Sequence, residues 1–231
     1  MLGKIKVGIL AVQGDFEAHA ATLARMGADY VFVRTPRDLE GVDAVILPGG
    51  ESTTQWKFLF EEGLDKTLVE HAARGGAIFG TCAGAILLAR EVHNPAQESL
   101  GLADITVIRN AYGRQLASEV RHGPTAISPE PIEMVFIRAP IIERVGPDVE
   151  VLATSEGQPV LIRQGHILIA TFHPELTSET TVHEYFLRMA RGDDAALIRN
   201  DPLSNLAGSG KDLWSGEHTD KYVRRLRQDW K

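Results

Sequence analysis

One cysteine, Cys82, serves the entire 231-residue chain. No internal disulfide and no multi-cysteine metal site can be built from a single thiol, and such sparing use fits a reducing compartment. A basic excess is lacking too: 24 Lys and Arg stand against 31 Asp and Glu, a formal net charge of -7. That argues against a general nucleic-acid binder, which wants a basic face. Nothing approaches 18 continuous apolar residues, so no membrane span is expected. The apolar run at residues 5–12 is too short and too regular for a signal peptide, and no small-residue cleavage site follows it. A cytoplasmic protein is expected. With 44% hydrophobic and 24% charged residues the composition is that of an ordinary globular protein, and a chain of this length buries one substantial core.

The first half alternates strand and helix patterns. Residues 5–12 are apolar nearly throughout, as a strand covered on both faces requires, and 30–33, 44–48 and 77–79 are further strand patterns. Between them Phe16, Ala20, Leu23 and Ala24 recur at helical spacing up to Gly27, and Trp56, Leu59, Phe60, Leu64, Leu68 and Ala72 mark one or two helices that end at Gly75-Gly76. A further helix is predicted over 85–90. The second half carries strand patterns at 105–108, 134–137 and 149–154 without long helices between them, and a hairpin in which Gln164-Gly165 joins 159–163 to 166–172. A last helix is predicted over 180–191, with Val182, Tyr185, Phe186 and Met189 on its apolar face. The expectation is an α/β fold: a central, mostly parallel sheet with added mixed strands and flanking helices. Residues 1–200 form the expected domain. Residues 201–231 are a polar tail, either mobile or a partner-docking segment rich in arginine and aromatic side chains.

Cys82 lies in Gly80-Thr81-Cys82-Ala83-Gly84, between a strand pattern and a helix pattern. The glycines permit a cramped turn, and a thiol at the amino end of a helix has its thiolate favoured by unpaired backbone N–H groups. That is the setting of a nucleophile elbow, with the Ala83 N–H as one oxyanion donor. A second donor is expected at Gly49-Gly50, where no side chain shields the backbone. At the end of another strand, His173-Pro174-Glu175 offers a base and the carboxylate that orients it. The other reading of Cys82 is a buried structural thiol, and of His173 a surface histidine. His71, His93, His122 and His183 lack a comparable setting, and the histidines do not cluster at zinc-ligand spacing. Arg109 and Arg138 each follow an apolar strand and serve either as bidentate ligands of a substrate carboxylate or as internal salt-bridge partners.

These motifs resemble those of the class I, triad-type glutamine amidotransferases. A finer set resembles the glutaminase subunits of pyridoxal 5'-phosphate synthase: Leu10-Ala11-Val12-Gln13-Gly14, Leu47-Pro48-Gly49-Gly50-Glu51-Ser52-Thr53, Arg109-Asn110-Ala111-Tyr112-Gly113-Arg114-Gln115, Phe136-Ile137-Arg138-Ala139-Pro140 and Thr171-Phe172-His173-Pro174-Glu175-Leu176. The likeness spans about residues 5–192, with Tyr112 where family members often have phenylalanine. The resemblance implies a catalytic triad of Cys82, His173 and Glu175, and an L-glutamine site lined by Gly50, Glu51, Ser52, Arg109, Ile137 and Arg138. It implies neither metal nor cofactor. It also implies that ammonia passes to a (β/α)8-barrel synthase subunit in a complex of twelve copies of each. Three other readings compete: a glutaminase serving another biosynthetic amidotransferase, a cysteine peptidase or chaperone-like protein on the same fold, and a regulatory module with a dead site. The Arg109–Gln115 and Phe136–Pro140 segments argue against the first. A histidine 91 residues after the nucleophile, rather than close behind it, argues against the second.

Overall fold

In a computed structural model of the chain, residues 5–109 and 118–193 are described. The strand–helix alternation of the first half becomes β1 (Lys6–Leu10), α1 (Phe16–Arg25), β2 (Asp29–Val33), β3 (Ala44–Leu47), α2 (Ser52–Glu62), α3 (Leu64–Ala73), β4 (Ala77–Thr81) and α4 (Ala83–Leu88). Then follow β5 (Ala89–His93), β6 (Ala103–Ile108), β7 (Ser118–Thr125), β8 (Ser128–Ile137), β9 (Ile141–Val145), β10 (Glu150–Ser155), β11 (Gln158–Gln164), β12 (Ile167–Ala170) and α5 (Thr181–Arg191). Asn110–Gln115 of the Arg109 motif and the polar tail at 201–231 lie outside the described residues.

Nine strands make one sheet in the order β2-β1-β3-β4-β12-β11-β10-β7-β8. The pairs from β2 to β12 are parallel, and those from β12 to β8 are antiparallel. A smaller sheet, β5-β6-β9, stands apart from it. The period of two shows how the central strands of the main sheet are buried on both faces. Along β3, Ala44 and Ile46 join one apolar cluster with Leu23, Phe79 and Phe186, while Val45 and Leu47 join another with Leu59, Leu68 and Leu87. α1 and α5 cover the first face and α2, α3 and α4 the second. On α5 the expected Val182, Tyr185, Phe186 and Met189 are all buried, each contributing roughly 1.5–3 kcal/mol. Gly63 separates α2 from α3 at φ 72, closing one helix and opening the next.

Two boundaries differ from the sequence reading. The helix after Cys82 stops at Leu88, and Ala89–His93 pairs with β6 instead. All six residues of α4 are buried, so continuing the helix would carry Arg90 and Glu91 toward the core. As a strand the same segment exposes Arg90, Glu91 and His93 and buries Ala89 and Val92. The strand expected over 166–172 ends at Ala170, which frees Thr171–His173 to turn toward the site. Strands β5, β7 and β9 carry no clear sequence signal. Each buries too few of its residues to show a period of two, and pairing to neighbours decides them. Among the described residues no helix is long and apolar enough to cross a membrane.

Candidate active site

The sheet order puts β3, β4 and β12 side by side and parallel. Their carboxyl ends therefore lie together, the place where open α/β sheets bind ligands. Gly49-Gly50 leaves β3, Cys82 leaves β4 and His173 follows β12. Residues far apart in sequence meet here because parallel strands must each be followed by a crossover.

Cys82 sits between strand and helix at φ 46, ψ -98, a conformation that L side chains rarely adopt. Its N–H remains tied to the Ala170 carbonyl at 2.9 Å, and its carbonyl accepts from Ala85 at 3.1 Å. The chain thus reverses within one residue and lifts the thiol off the sheet. Gly84 makes this tight packing feasible, since a Cβ there would collide with the Leu47 carbonyl of β3. As first residue of α4, Ala83 has a backbone N–H with no intrahelical acceptor. The thiol lies 3.8 Å from the Ile137 carbonyl.

His173 is buried, its backbone N–H donating to Val135 of β8 at 2.8 Å. Pro174 starts a single 3-10 turn that brings Glu175 back against the ring. Nδ1 and Glu175 Oε1 are 2.7 Å apart, both almost without solvent. Burial disfavours the imidazolium, but hydrogen bonds and charge from Cys82 and Glu175 outweigh it and raise the His173 pKa to about 10. Burial raises the Glu175 carboxyl, and His173 pulls it back. Asp15 presents a second carboxylate 3.6 Å from Nδ1. Asp15, His173 and Glu175 bring donor atoms within 4.8 Å of one another.

Gly50, Glu51, Ser52, Arg109, Ile137 and Arg138 all line one cleft with Cys82 and Ala83, joined by Ile86 and Pro140. Arg138 pairs with Glu51 at 2.9 Å across the mouth, both half exposed. Arg109 is buried, and its Nη1 has no hydrogen-bond partner among the described residues. Burial lowers its pKa, with Glu51 opposing. A buried guanidinium nitrogen lining the cleft is suited to a charge-assisted hydrogen bond with an anionic group. A larger groove lined by Leu39, Asp43, Thr67, His71 and Arg74 contains neither the thiol nor any motif residue.

Several supporting contacts involve residues to which the sequence reading gave no role, among them Gln13, Gln55, Gln97 and His19. Gln13 accepts from the Glu51 N–H at 2.7 Å, and Gln55 donates to the Gln13 and Pro48 carbonyls, so two glutamines brace the Gly49-Gly50 turn. Ser52 donates to Gln97 at 2.9 Å. His19 and His183, both wholly buried, lie behind Glu175. The signal for His19 was its phase: it falls on the α1 face marked by Phe16, Ala20 and Leu23.

Comparison with known proteins shows the family. Residues 9–191 match the SNO glutamine amidotransferase family. The chain is 51% identical over 191 residues to "Pyridoxal 5'-phosphate synthase subunit PdxT" of Koribacter versatilis, covering 83% of this chain and 98% of that one. The protein of the same name from Solibacter usitatus is 54% identical over 188 residues, covering 79% and 97%. A crystal structure of a glutamine amidotransferase superimposes with TM-score 0.76 at 46% identity, over 80% of this chain and 98% of that one. The chain belongs to the SNO glutamine amidotransferase family.

Proposed function

We propose that the chain hydrolyses L-glutamine to L-glutamate and ammonia, and delivers the ammonia to a synthase subunit that makes pyridoxal 5'-phosphate. The observation that carries the reading is the thiol on a strained elbow beside an imidazole whose other nitrogen is held 2.7 Å from a buried carboxylate. Cys82 is the nucleophile, His173 the acid and base, and Glu175 the group that orients His173. Arg109 takes the substrate α-carboxylate, and Glu51, Ser52, Ile137 and Arg138 complete the glutamine site.

Cys82 gives its proton to His173, and its sulfur attacks the side-chain amide carbon. The negative charge that forms on oxygen is held by the N–H groups of Gly50 and Ala83, each worth roughly 3–4 kcal/mol by comparison with other such donors. The tetrahedral species collapses, the C–N bond breaks, and the imidazolium protonates the departing ammonia. Water, deprotonated by His173, then attacks the γ-glutamyl thioester and releases glutamate with the thiol restored.

The partner is a (β/α)8-barrel synthase, in a complex of twelve copies of each subunit, in the cytoplasm. The names of the relatives, each a subunit of pyridoxal 5'-phosphate synthase, support the partner. Docking raises the glutaminase rate by ordering the Gly49–Thr53 turn. The test mixes the chain with that synthase, ribose 5-phosphate, glyceraldehyde 3-phosphate and glutamine. Complex size and pyridoxal 5'-phosphate formation are followed together. Glutamine should replace ammonium salt as nitrogen donor. No complex and no such replacement would overturn the partner, while glutamate release alone would leave the glutaminase standing.

A further inference from the structure

The line from thiol to carboxylate does not end at Glu175. Its Oε1 accepts from His173, and its Oε2 is buried with no aligned hydrogen bond among the described residues. His19 Nε2 lies 3.5 Å from Oε2, with both side chains fully shielded from solvent. The same Nε2 is 3.2 Å from Thr81 Oγ1, one residue before the nucleophile. On the other side His19 Nδ1 is 3.0 Å from His183 Nε2. Helices α1 and α5 thus each contribute one buried histidine to a chain that runs behind the site.

The charge on Glu175 decides how the protons are placed. Burial depresses the proton affinity of both rings, helped at His19 by His183 and His173 and at His183 by Arg25, so both are neutral. A neutral ring has one donor nitrogen and one acceptor. Were the His19 proton on Nδ1, its Nε2 lone pair would face a buried carboxylate oxygen. With the proton on Nε2, it points at Oε2 and Thr81 Oγ1, and Nδ1 accepts from His183 Nε2–H. This leaves the lone pair of His183 Nδ1 as the unpartnered buried atom. An unmet acceptor on the far side is the smaller cost when the alternative is a lone pair against a negative charge.

We propose that His19 is a positioning residue of this site: its Nε2–H faces the second oxygen of Glu175 and holds that carboxylate, and through it His173, in place, while His183 keeps His19 in that tautomer. The inference rests on the assignment of Cys82, His173 and Glu175 as the reacting set. The other charged groups around them are Asp15, 3.6 Å from His173 Nδ1, and Arg25, whose charge reaches His183.

Two measurements on the full chain test it, neither needing glutamine. The first is imidazole nitrogen NMR of the unmodified protein, with His19→Gln supplying the assignment. A neutral His19 ring with its proton on Nε2 at pH 7 is expected, and a proton on Nδ1 or a charged ring would overturn the proposal. The second is the pH profile of Cys82 alkylation by iodoacetamide in the wild type, His19→Leu and His19→Gln. Loss of the donor in His19→Leu should move the acid limb upward by about one pH unit and slow alkylation at pH 7 by about tenfold. The amide of His19→Gln, which still offers an N–H, should restore most of it. Three superimposed profiles would overturn the proposal. Should His19→Leu fail to fold, the tautomer of the unmodified chain still decides. Because neither readout involves glutamine, failure of the glutaminase reading would show separately, as normal alkylation without glutamate release.

Discussion

Gly49 packs so closely on the His173 ring that a Cβ there would stand 2.9 Å from Nδ1 and nearer still to Cε1. The absence of a side chain at one turn therefore sets where the base can sit at another. Gly49→Ala should push the imidazole off the thiol, and a displacement of about 1 Å in such a site costs on the order of 100-fold in rate. Glutamate release by the complex with the synthase, compared with thermal unfolding of the free chain, checks this. Unchanged activity in a folded Gly49→Ala protein would show that the ring has room the structure denies it.

The carboxylate orients the base and does not react, so Glu175→Gln should lose less activity than His173→Ala. Both should lose less than Cys82→Ala, which leaves no nucleophile. Initial rates of glutamate formation with the partner present rank the three. A Cys82→Ala protein as active as the wild type would refute the assignment of the thiol.

Arg109 is buried, lines the cleft, and has an Nη1 with no hydrogen-bond partner among the described residues. Arg109→Met should raise the KM for glutamine by about 10–100-fold, the loss of a charge-assisted pair worth roughly 1.5–3 kcal/mol. It should change kcat less. Thermal unfolding of the free variant should occur no lower than in the wild type, because a desolvated charge is removed rather than a satisfied one. A KM that stays constant would place the α-carboxylate elsewhere.

Burial brings the His183 pKa down to about 3, below the ordinary value of 6.5. Between those limits the unfolded chain binds a proton that the folded chain refuses, so stability falls as pH drops from 6.5 toward 3. Above 6.5 the contribution is complete and flat. Urea unfolding at a series of pH values should show this loss in the wild type, and His183→Gln, which has no proton to take up, should lose part of the slope. Equal slopes in the two proteins would mean that His183 titrates normally.

Much of the site is legible in the chain because its parts are local. Gly80–Gly84 specifies a strand-to-helix elbow, Gly49-Gly50 a bare turn, and His173-Pro174-Glu175 a base beside a carboxylate, each within a few residues. The parallel half of the sheet is likewise announced by unbroken apolar runs, since strands buried on both faces have no polar alternates. The smaller sheet is not announced. Strand β5 takes residues that extend a helical pattern, and the choice is made by the edge of β6 and by the absence of any solvent face on α4.

The residues of this chain determine by themselves which groups can do chemistry: one thiol, a histidine next to a carboxylate, and glycines where backbone must approach backbone. Only the tertiary structure decides which of the remaining polar groups stand behind them. His19 and His183 are 164 residues apart and belong to different helices, and nothing in their local sequence orients one toward the other. They meet at 3.0 Å because α1 and α5 cover the same face of the sheet, and a buried ring must find a partner among whatever groups the packing brings near.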